Sequence, residues 1–282
     1  MNIQLLEWKA ASLRRVVLQM ALRAGKGHVA PALSWVDIAV TLFYEGYLRV
    51  HPNDPQWEER DRFILSKGHG CLTLYAVLAD LGFFDLAELE TFVKDGSRLA
   101  GHPDPNIPGV EVLSGSLGHG LGIGAGLCLG AKLDRRDWKT YVLLGDGECQ
   151  EGSIWEAAAF ASHHRLTNLV AIVDRNHLGA TDFTEQVMTL EPFRERWEVF
   201  GWEVRTVDGH SFKELLEAFE LNELDKHDRP LVILANTTKG KGLDFMEGEA
   251  HWHHRLPIGT QADEALEVLH RREQELSQVI QG

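Results

Sequence analysis

The stretch that most constrains the fold runs from Tyr141 to Leu178 and reads YVLLGDGECQEGSIWEAAAFASHHRLTNLVAIVDRNHL. An apolar run, Tyr141 to Leu144, is closed by Gly145. Apolar residues then recur at helical spacing (Ile154, Trp155, Ala158, Ala161) before a second apolar run, Leu169 to Val173. This pattern predicts strand, helix, strand. A unit of this length favours a right-handed crossover between parallel strands, which places Asp146 and Asn176 just past the carboxyl ends of two strands, where α/β sheets meet their ligands. Gly145 and Gly147 let backbone approach a bulky group closely, and a carboxylate and an amide oxygen are hard donors suited to Mg²⁺ or Ca²⁺. The combination points to a metal-bridged diphosphate. The competing reading is that Asp146 caps a turn and Asn176 is an ordinary loop residue, since Gly-Asp-Gly suits turns generally.

Length and charge narrow the class. A chain of 282 residues with 44% apolar and 25% charged residues can bury a sizeable core as an ordinary globular protein. The formal net charge of −14 argues against a nucleic-acid backbone as partner, because such binders concentrate Lys and Arg. Cys71, Cys128 and Cys149 are far apart and lack metal-ligand spacing, which fits packing roles in a reducing compartment. Charged residues interrupt the N-terminal apolar positions, and no run approaches a membrane span. A cytoplasmic location is expected.

Read in order, Leu5 to Leu22 is a helix stopped by Gly25, a loop carries His28, and a second helix covers about Ser34 to Tyr47. Arg62 to Leu65 is a short buried strand followed at once by Ser66, Lys67, Gly68 and His69. Leu72 to Leu81 and Leu86 to Lys94 read as helices. Ser114 to Gly130, SGSLGHGLGIGAGLCLG, is Gly-rich and then helical, with small residues that allow close packing. After the central unit come a helix at Pro192 to Phe200, a strand at Trp202 to Val207, a helix from Ser211 to Phe219 capped by Ser211 with Glu214, a strand at Leu231 to Ala235 and a terminal helix from Ala262 to Val279. The alternation predicts a doubly wound, mostly parallel α/β sheet with helices on both faces, in one domain over residues 1–282 with a C-terminal helical tail.

Several of the 14 histidines directly follow glycine: His28, His69, His102, His119 and His210. Any one of them is explained by a turn or a partly buried imidazole. Together, His69 just past a strand and His28, His102 and His119 in Gly- or Pro-rich loops are residues that an α/β scaffold gathers at one rim. Imidazoles there can donate, accept or move protons, which suits carbonyl and hydroxyl chemistry on a sugar.

The spacing from Asp146 to Asn176 resembles the thiamine diphosphate fingerprint, and GDGECQEGSIWEAAAFASHHRLTNLVAIVDRNH is most similar to the transketolase family. The resemblance covers nearly the whole chain: RAGKGHVAPALSWVDI, LSKGHG and AGHPD look like its three histidine loops, and SGSLGHGLGIGAG like its Gly-rich cofactor segment. It implies that Asp146, Asn176 and the Leu178 carbonyl hold Mg²⁺ or Ca²⁺, and that Gly147 touches the diphosphate. Gly115, Ser116 and Leu117 would line thiamine diphosphate, His28 and His102 would contact sugar and assist proton transfer, and His69 would lie by diphosphate and substrate. A further histidine in EGEAHWHHRLP is His251 or His253, with His253 favoured. Glu151 would join a proton-linking carboxylate network at a subunit interface, whereas Glu148, Glu151 and Glu156 read on their own as dipole-complementing surface acids.

Departures from the family pattern are His28-Val29-Ala30 where His-Pro-Gly is common, His119 where Gln is usual, and Asn176-His177 in place of Asn-Asn or Asn-Gly. A whole transketolase also has a pyrimidine-binding domain and a further C-terminal domain, and this sequence matches only the diphosphate-binding part. The resemblance therefore implies the N-terminal subunit of a split transketolase, transferring a two-carbon ketol unit from a ketose phosphate to an aldose phosphate with a C-terminal partner chain, as a heterotetramer. The alternatives are a subunit of another thiamine diphosphate enzyme, such as a deoxyxylulose phosphate synthase or a 2-oxo acid dehydrogenase, and a non-catalytic cofactor-binding remnant.

Overall fold

The computed structural model describes residues 2–220 and 228–281. Helices α1 (Ile3–Ala24), α2 (Val29–Leu33) and α3 (Val36–Tyr44) precede strand β1 (Arg62–Leu65). Then come α4 (Cys71–Asp80), α5 (Gly120–Leu133), β2 (Thr140–Gly145), α6 (Gly152–His163) and β3 (Leu169–Arg175). The chain continues through α7 (Thr184–Val187), α8 (Phe193–Val199), β4 (Glu203–Asp208), α9 (Phe212–Phe219), β5 (Leu231–Asn236) and α10 (Thr260–Gln281).

The described strands form a sheet in the order β1-β2-β3-β5-β4, and every pairing is parallel, where the sequence predicted mostly parallel. Alternating side chains serve two cores. Phe63, Leu65, Tyr141, Leu143, Val170, Ile172, Leu231 and Ile233 pack with α1, α3, α4 and α9 on one face. Ile64, Val142, Leu144, Leu169, Ala171, Val173, Val232 and Leu234 pack with α5, α6 and α8 on the other. That division follows from handedness. From β1 through β4 the chain advances in one direction across the sheet, so right-handed crossovers put α5, α6 and α8 on one side; the step back from β4 to β5 sends α9 to the other.

Local chemistry sets the boundaries. Gly25 ends α1 in a left-handed conformation and its N–H bonds the Ala21 and Leu22 carbonyls. The helix predicted over Ser34 to Tyr47 is shorter, α3 at Val36–Tyr44, and the stretch before it, read as a loop, carries the short α2; between the two helices the Ser34 hydroxyl turns inward to the Pro31 carbonyl (2.9 Å) and Asp174 (2.5 Å). Leu86–Thr91 is a 3₁₀ helix, shorter than the helix predicted to Lys94 and followed by Val93 at φ +50°. The small residues of α5 do allow close packing: a Cβ on Gly124 would lie 2.6 Å from a Val142 methyl group, so α5 sits flush on β2 only with glycine there. Ser211 caps α9 by accepting from the Glu214 N–H, as predicted. Ala265, Leu269 and Leu276 of α10 are buried, and Glu273 pairs with Arg15 of α1 at 2.5 Å.

Candidate active site

Register levels the carboxyl ends of the central strands: Gly145 pairs with Asp174, and Asp174 with Ala235. The residues that follow share one rim, where a cavity of about 680 Å³ opens. One end of it is rich in oxygen. Asp146 is buried and accepts from the backbone N–H groups of Gly147 (2.8 Å) and His177 (2.5 Å). The Asn176 side-chain oxygen accepts from Leu178 N–H at 3.2 Å, and Asp146, Asn176 and Leu178 all line the cavity. Neither Gly145 nor Gly147 has a positive φ, and a Cβ on either would make only ordinary contacts at 3.6 Å or more. The protein's own packing does not demand glycine at these positions, which leaves the backbone there bare toward the cavity.

Electrostatics in this corner favour a cation. Burial, and then the neighbouring Asp174 carboxylate, push Asp146 up to about 7. Lys239 already aims its ammonium at the Leu178 (3.2 Å) and Gly179 (2.6 Å) carbonyls, and burial followed by repulsion from Lys67 lowers it to about 8. Behind them lies a closed polar cluster: Asp174 accepts from Lys67, Ser34 and Thr237. Burial opposes its ionisation, but Lys67 and the two hydroxyls prevail and its carboxyl is lowered.

The other end of the cavity is built from imidazoles. His28 lies in the loop before α2, after Gly27 at φ +135°. His69 sits in a 3₁₀ turn, Gly68–Gly70, whose last carbonyl accepts from the Trp35 indole at 3.2 Å. The His102 loop is tied down by Tyr75, which donates to the Ala100 carbonyl at 2.9 Å. Gly115, at φ +138°, lies against the His102 ring, where a Cβ would come within 3.0 Å of it. His253 ends a 3₁₀ turn, Ala250–His253, held by the Trp252 indole on the Phe245 carbonyl at 2.9 Å. Ring centroids of His28 lie 5.7 Å from His69, 6.2 Å from His102, 5.5 Å from His253 and 4.6 Å from His254. Burial, then repulsion from His254, His102 and Lys239, lowers His28 to about 4. Burial and then Lys239 lower His253 to about 3, and His69 and His102 are also lowered, chiefly by burial. These four rings are therefore neutral at neutral pH, able to donate from one nitrogen and accept at the other.

Known proteins share this fold. Residues 7–269 match the family described as transketolase, thiamine diphosphate binding domain. The chain belongs to the transketolase family. It is 40% identical over its full length to an apulose-4-phosphate transketolase subunit from Phocaeicola vulgatus, covering all of that protein. It is 39% identical over 280 residues to human transketolase, covering 99% of this chain but 44% of the human one. The crystal structure of the transketolase from Campylobacter jejuni superposes with a TM-score of 0.85 at 30% identity, covering 99% of this chain and 48% of that one. The chain thus spans about half the length of the single-chain transketolases it matches.

Within this transketolase fold, His28, His69, His102, His253, Gly115, Leu117, Asp146, Gly147, Asn176 and Leu178 all line the one cavity. Ser116 and Glu151 are exposed and lie outside its lining. His251 is exposed beside Glu249, so the position in its loop that reaches the cavity wall is His253, with His254 next to it. Glu148 is a correction. Its carboxylate is buried and accepts from Ser66, Gly118 N–H (2.9 Å) and Gly145 N–H (3.0 Å), fastening the Gly-rich segment to β1 and β2. Sequence reasoning also passed over Lys67, Lys239 and His254. The signal for the lysines was their place directly after apolar strands, in LSKGHG and TTKGKG.

Proposed function

We propose that this chain, residues 1–282 as one diphosphate-binding domain, is the N-terminal subunit of a two-chain transketolase. It transfers a two-carbon ketol unit from a ketose phosphate to an aldose phosphate, using thiamine diphosphate and Mg²⁺ or Ca²⁺ in a reducing, cytoplasmic compartment. The observation that carries this reading is the meeting of an oxygen-donor corner and a neutral imidazole wall in one cavity.

The residues present suit the cofactor and its metal. Asp146 is a buried carboxylate short of a counter-charge, and it shares its corner with the Asn176 amide oxygen and the Leu178 carbonyl, a hard donor set appropriate to Mg²⁺ or Ca²⁺. Lys239 and Lys67 bring positive charge to the side where a diphosphate would lie. Gly147, Gly115 and Leu117 leave the wall low enough for an extended ligand, and Ser116 and Glu151 sit at the margin that a second chain would cover. When bound, thiamine diphosphate supplies the electron sink that carbon–carbon cleavage beside a carbonyl requires.

This chain's own part is to position and to move protons. His28 and His102 take and return protons on sugar hydroxyls, while His69 and His253 orient substrate beside the diphosphate. An anion in the cavity raises the affinity of these low-pKa rings for a proton, so substrate entry brings them toward their working range. A partner is supported by the exposed apolar residues Leu113 and Ile123, which flank the Gly115 to Leu117 segment, with Phe160 on α6 beyond them. The companion carries the pyrimidine-binding domain, and a heterotetramer is the simplest assembly.

The test is ketol transfer by this chain, by the companion chain and by their mixture, each with saturating thiamine diphosphate and Mg²⁺ across several ketose donors. Activity should appear only in the mixture. Full activity in the purified single chain, or none in a mixture shown to associate, overturns the assignment.

A further inference from the structure

The imidazole wall has a member that ketol transfer does not account for. His254 stands at the exposed mouth of the cavity, with its ring 4.6 Å from His28 and 4.6 Å from His253. One ligating nitrogen from each of His28, His253 and His254 can be chosen so that all three lie within 4.8 Å of one another. We propose that these three histidines form a second cation site, at the cavity mouth, that takes a borderline transition metal such as Zn²⁺ or Co²⁺ and is separate from the oxygen-donor corner at Asp146.

Three observations bear on this. First, the donor set is all nitrogen, and imidazole selects Zn²⁺, Co²⁺, Ni²⁺ or Cu²⁺, whereas Mg²⁺ and Ca²⁺ select oxygen. One cavity thus presents two chemically distinct ends, and Mg²⁺ at one does not compete for the other. Second, the Nδ1 of His253, a side chain about nine-tenths buried, has no hydrogen-bond partner. A buried polar atom left unpaired is costly, and a turn of the ring that brought it to a metal ion at the mouth would satisfy it. Third, the approach needed is short. Nitrogens around one tetrahedral Zn²⁺ stand roughly 3.3 Å apart for metal–nitrogen distances of about 2.0–2.1 Å. His254 is exposed and can turn inward, and the His28 and His253 nitrogens, also within 4.8 Å of one another, must close by at most about 1.5 Å, within reach of side-chain rotation. The fourth position then faces the open cavity, as in three-histidine sites that keep a water. Lys239 adds nearby positive charge, but its ammonium is engaged by two carbonyls, and Asp146 and Asp174 offset it.

A metal at this position ties His28 and His253 together across the sugar path, so it should block substrate without displacing cofactor. That consequence rests on the proposed function; the binding itself does not. The experiment is Co²⁺ titration of the whole chain in excess Mg²⁺, followed by visible absorption, with wild type, Asp146→Ala, His254→Ala and His28→Gln, each checked for a cooperative thermal transition.

Wild type and Asp146→Ala should both bind one Co²⁺ with the intense bands of a tetrahedral site. His254→Ala and His28→Gln should weaken binding by roughly tenfold or more, since even outer partners of ligating histidines are worth that much. Absence of bands in wild type, unchanged affinity in a folded His254→Ala protein, or loss of the bands in Asp146→Ala overturns the proposal. In the assembled enzyme, Zn²⁺ should inhibit wild type at lower concentration than His254→Ala. If the mixture proves inactive, the proposed function falls while the Co²⁺ result still decides the metal site.

Discussion

The Lys67 ammonium rests directly on the Asp174 carboxylate with both side chains shut off from solvent, at 1% and 0% exposure. This ion pair lies beneath the cavity floor and joins the end of β1 to the end of β3. Two buried opposite charges are tolerable only together, because removing one leaves the other without compensation. Lys67→Met should cost about 3–5 kcal/mol, and Lys67→Met with Asp174→Asn should recover part of that loss. Urea denaturation monitored by tryptophan fluorescence checks it; a double variant no more stable than the single one would argue against the pair as the cause.

Asp146 sets stability against binding. Its folded-state carboxyl, pushed up to about 7, holds a proton more tightly than it does in the unfolded chain, so stability falls as pH rises from about 4 through 7 and the buried group ionises. Asp146→Asn removes that loss. In chelator at pH 8 the variant should be more stable than wild type by something on the order of 1 kcal/mol, with the difference shrinking toward pH 4. The same variant should lose most Mg²⁺-dependent affinity for thiamine diphosphate in calorimetry of the assembled complex. Retained affinity would remove Asp146 from the metal site.

Asp37 behaves in the opposite sense. Burial opposes its charge, but Arg14, bonded through two nitrogens at 3.0 and 2.6 Å, and His210 at 2.7 Å hold it at about 2. Its stabilisation is present above the unfolded carboxylate range and disappears as pH falls from about 4 to 2. Asp37→Asn should destabilise by about 3–5 kcal/mol at pH 7, with a gap to wild type that narrows on acidification. Thermal melts across that range measure it, and a pH-independent gap would count against the linkage. The arrangement also gives His210 a position: its other ring nitrogen accepts the Thr238 N–H at 2.8 Å, next to Lys239.

His177 takes a left-handed backbone, φ +62°, immediately after Asn176. Asn and Gly enter that region most easily, which explains why they are the commoner residues at this point of the fingerprint. His177→Asn should be nearly neutral in a thermal melt. His177→Val should cost about 1–2 kcal/mol and weaken cofactor binding, because the turn aims both the His177 N–H and the Leu178 carbonyl. Equal stability of the two variants would show the turn to be unstrained.

His28→Ala and His102→Ala should separate binding from chemistry. In the assembled enzyme each should lower kcat by roughly 10²–10⁴-fold, as expected for loss of a proton-transfer group, while cofactor affinity changes little. Turnover at wild-type level with several ketose donors would return these imidazoles to loop packing.

Much of the architecture was legible because buried parallel strands are written as short apolar runs and their helices as spaced ones; Tyr141 to Leu178 shows both. The rim residues were legible for a related reason, since a loop just past a strand end has only one place to go. The polar residues beneath the cavity were not. Glu148 reads as a surface acid beside Glu151, and only the return of the Gly-rich segment to Gly118 shows that one is buried and the other exposed. Lys67 and Asp174 are 107 residues apart, and no local periodicity connects a lysine to the carboxylate it meets across two strands. Likewise, the choice between His251 and His253 turned on which side of one 3₁₀ turn faces inward.

His28 and His253 come from opposite ends of the sequence yet stand with ring centroids 5.5 Å apart, in a fold whose first and last helices are joined through Arg15 and Glu273. The imidazole wall is therefore completed only when the last part of the chain docks on the first. A ribosome must release the polypeptide well past residue 254 before the last rings can dock on the first, by which time every strand of the sheet has emerged. A product that stops short of residue 253 keeps His28, His69 and His102 but lacks the rings that face them from the last loop, so the final tenth of the chain closes a wall whose other rings are laid down before β2.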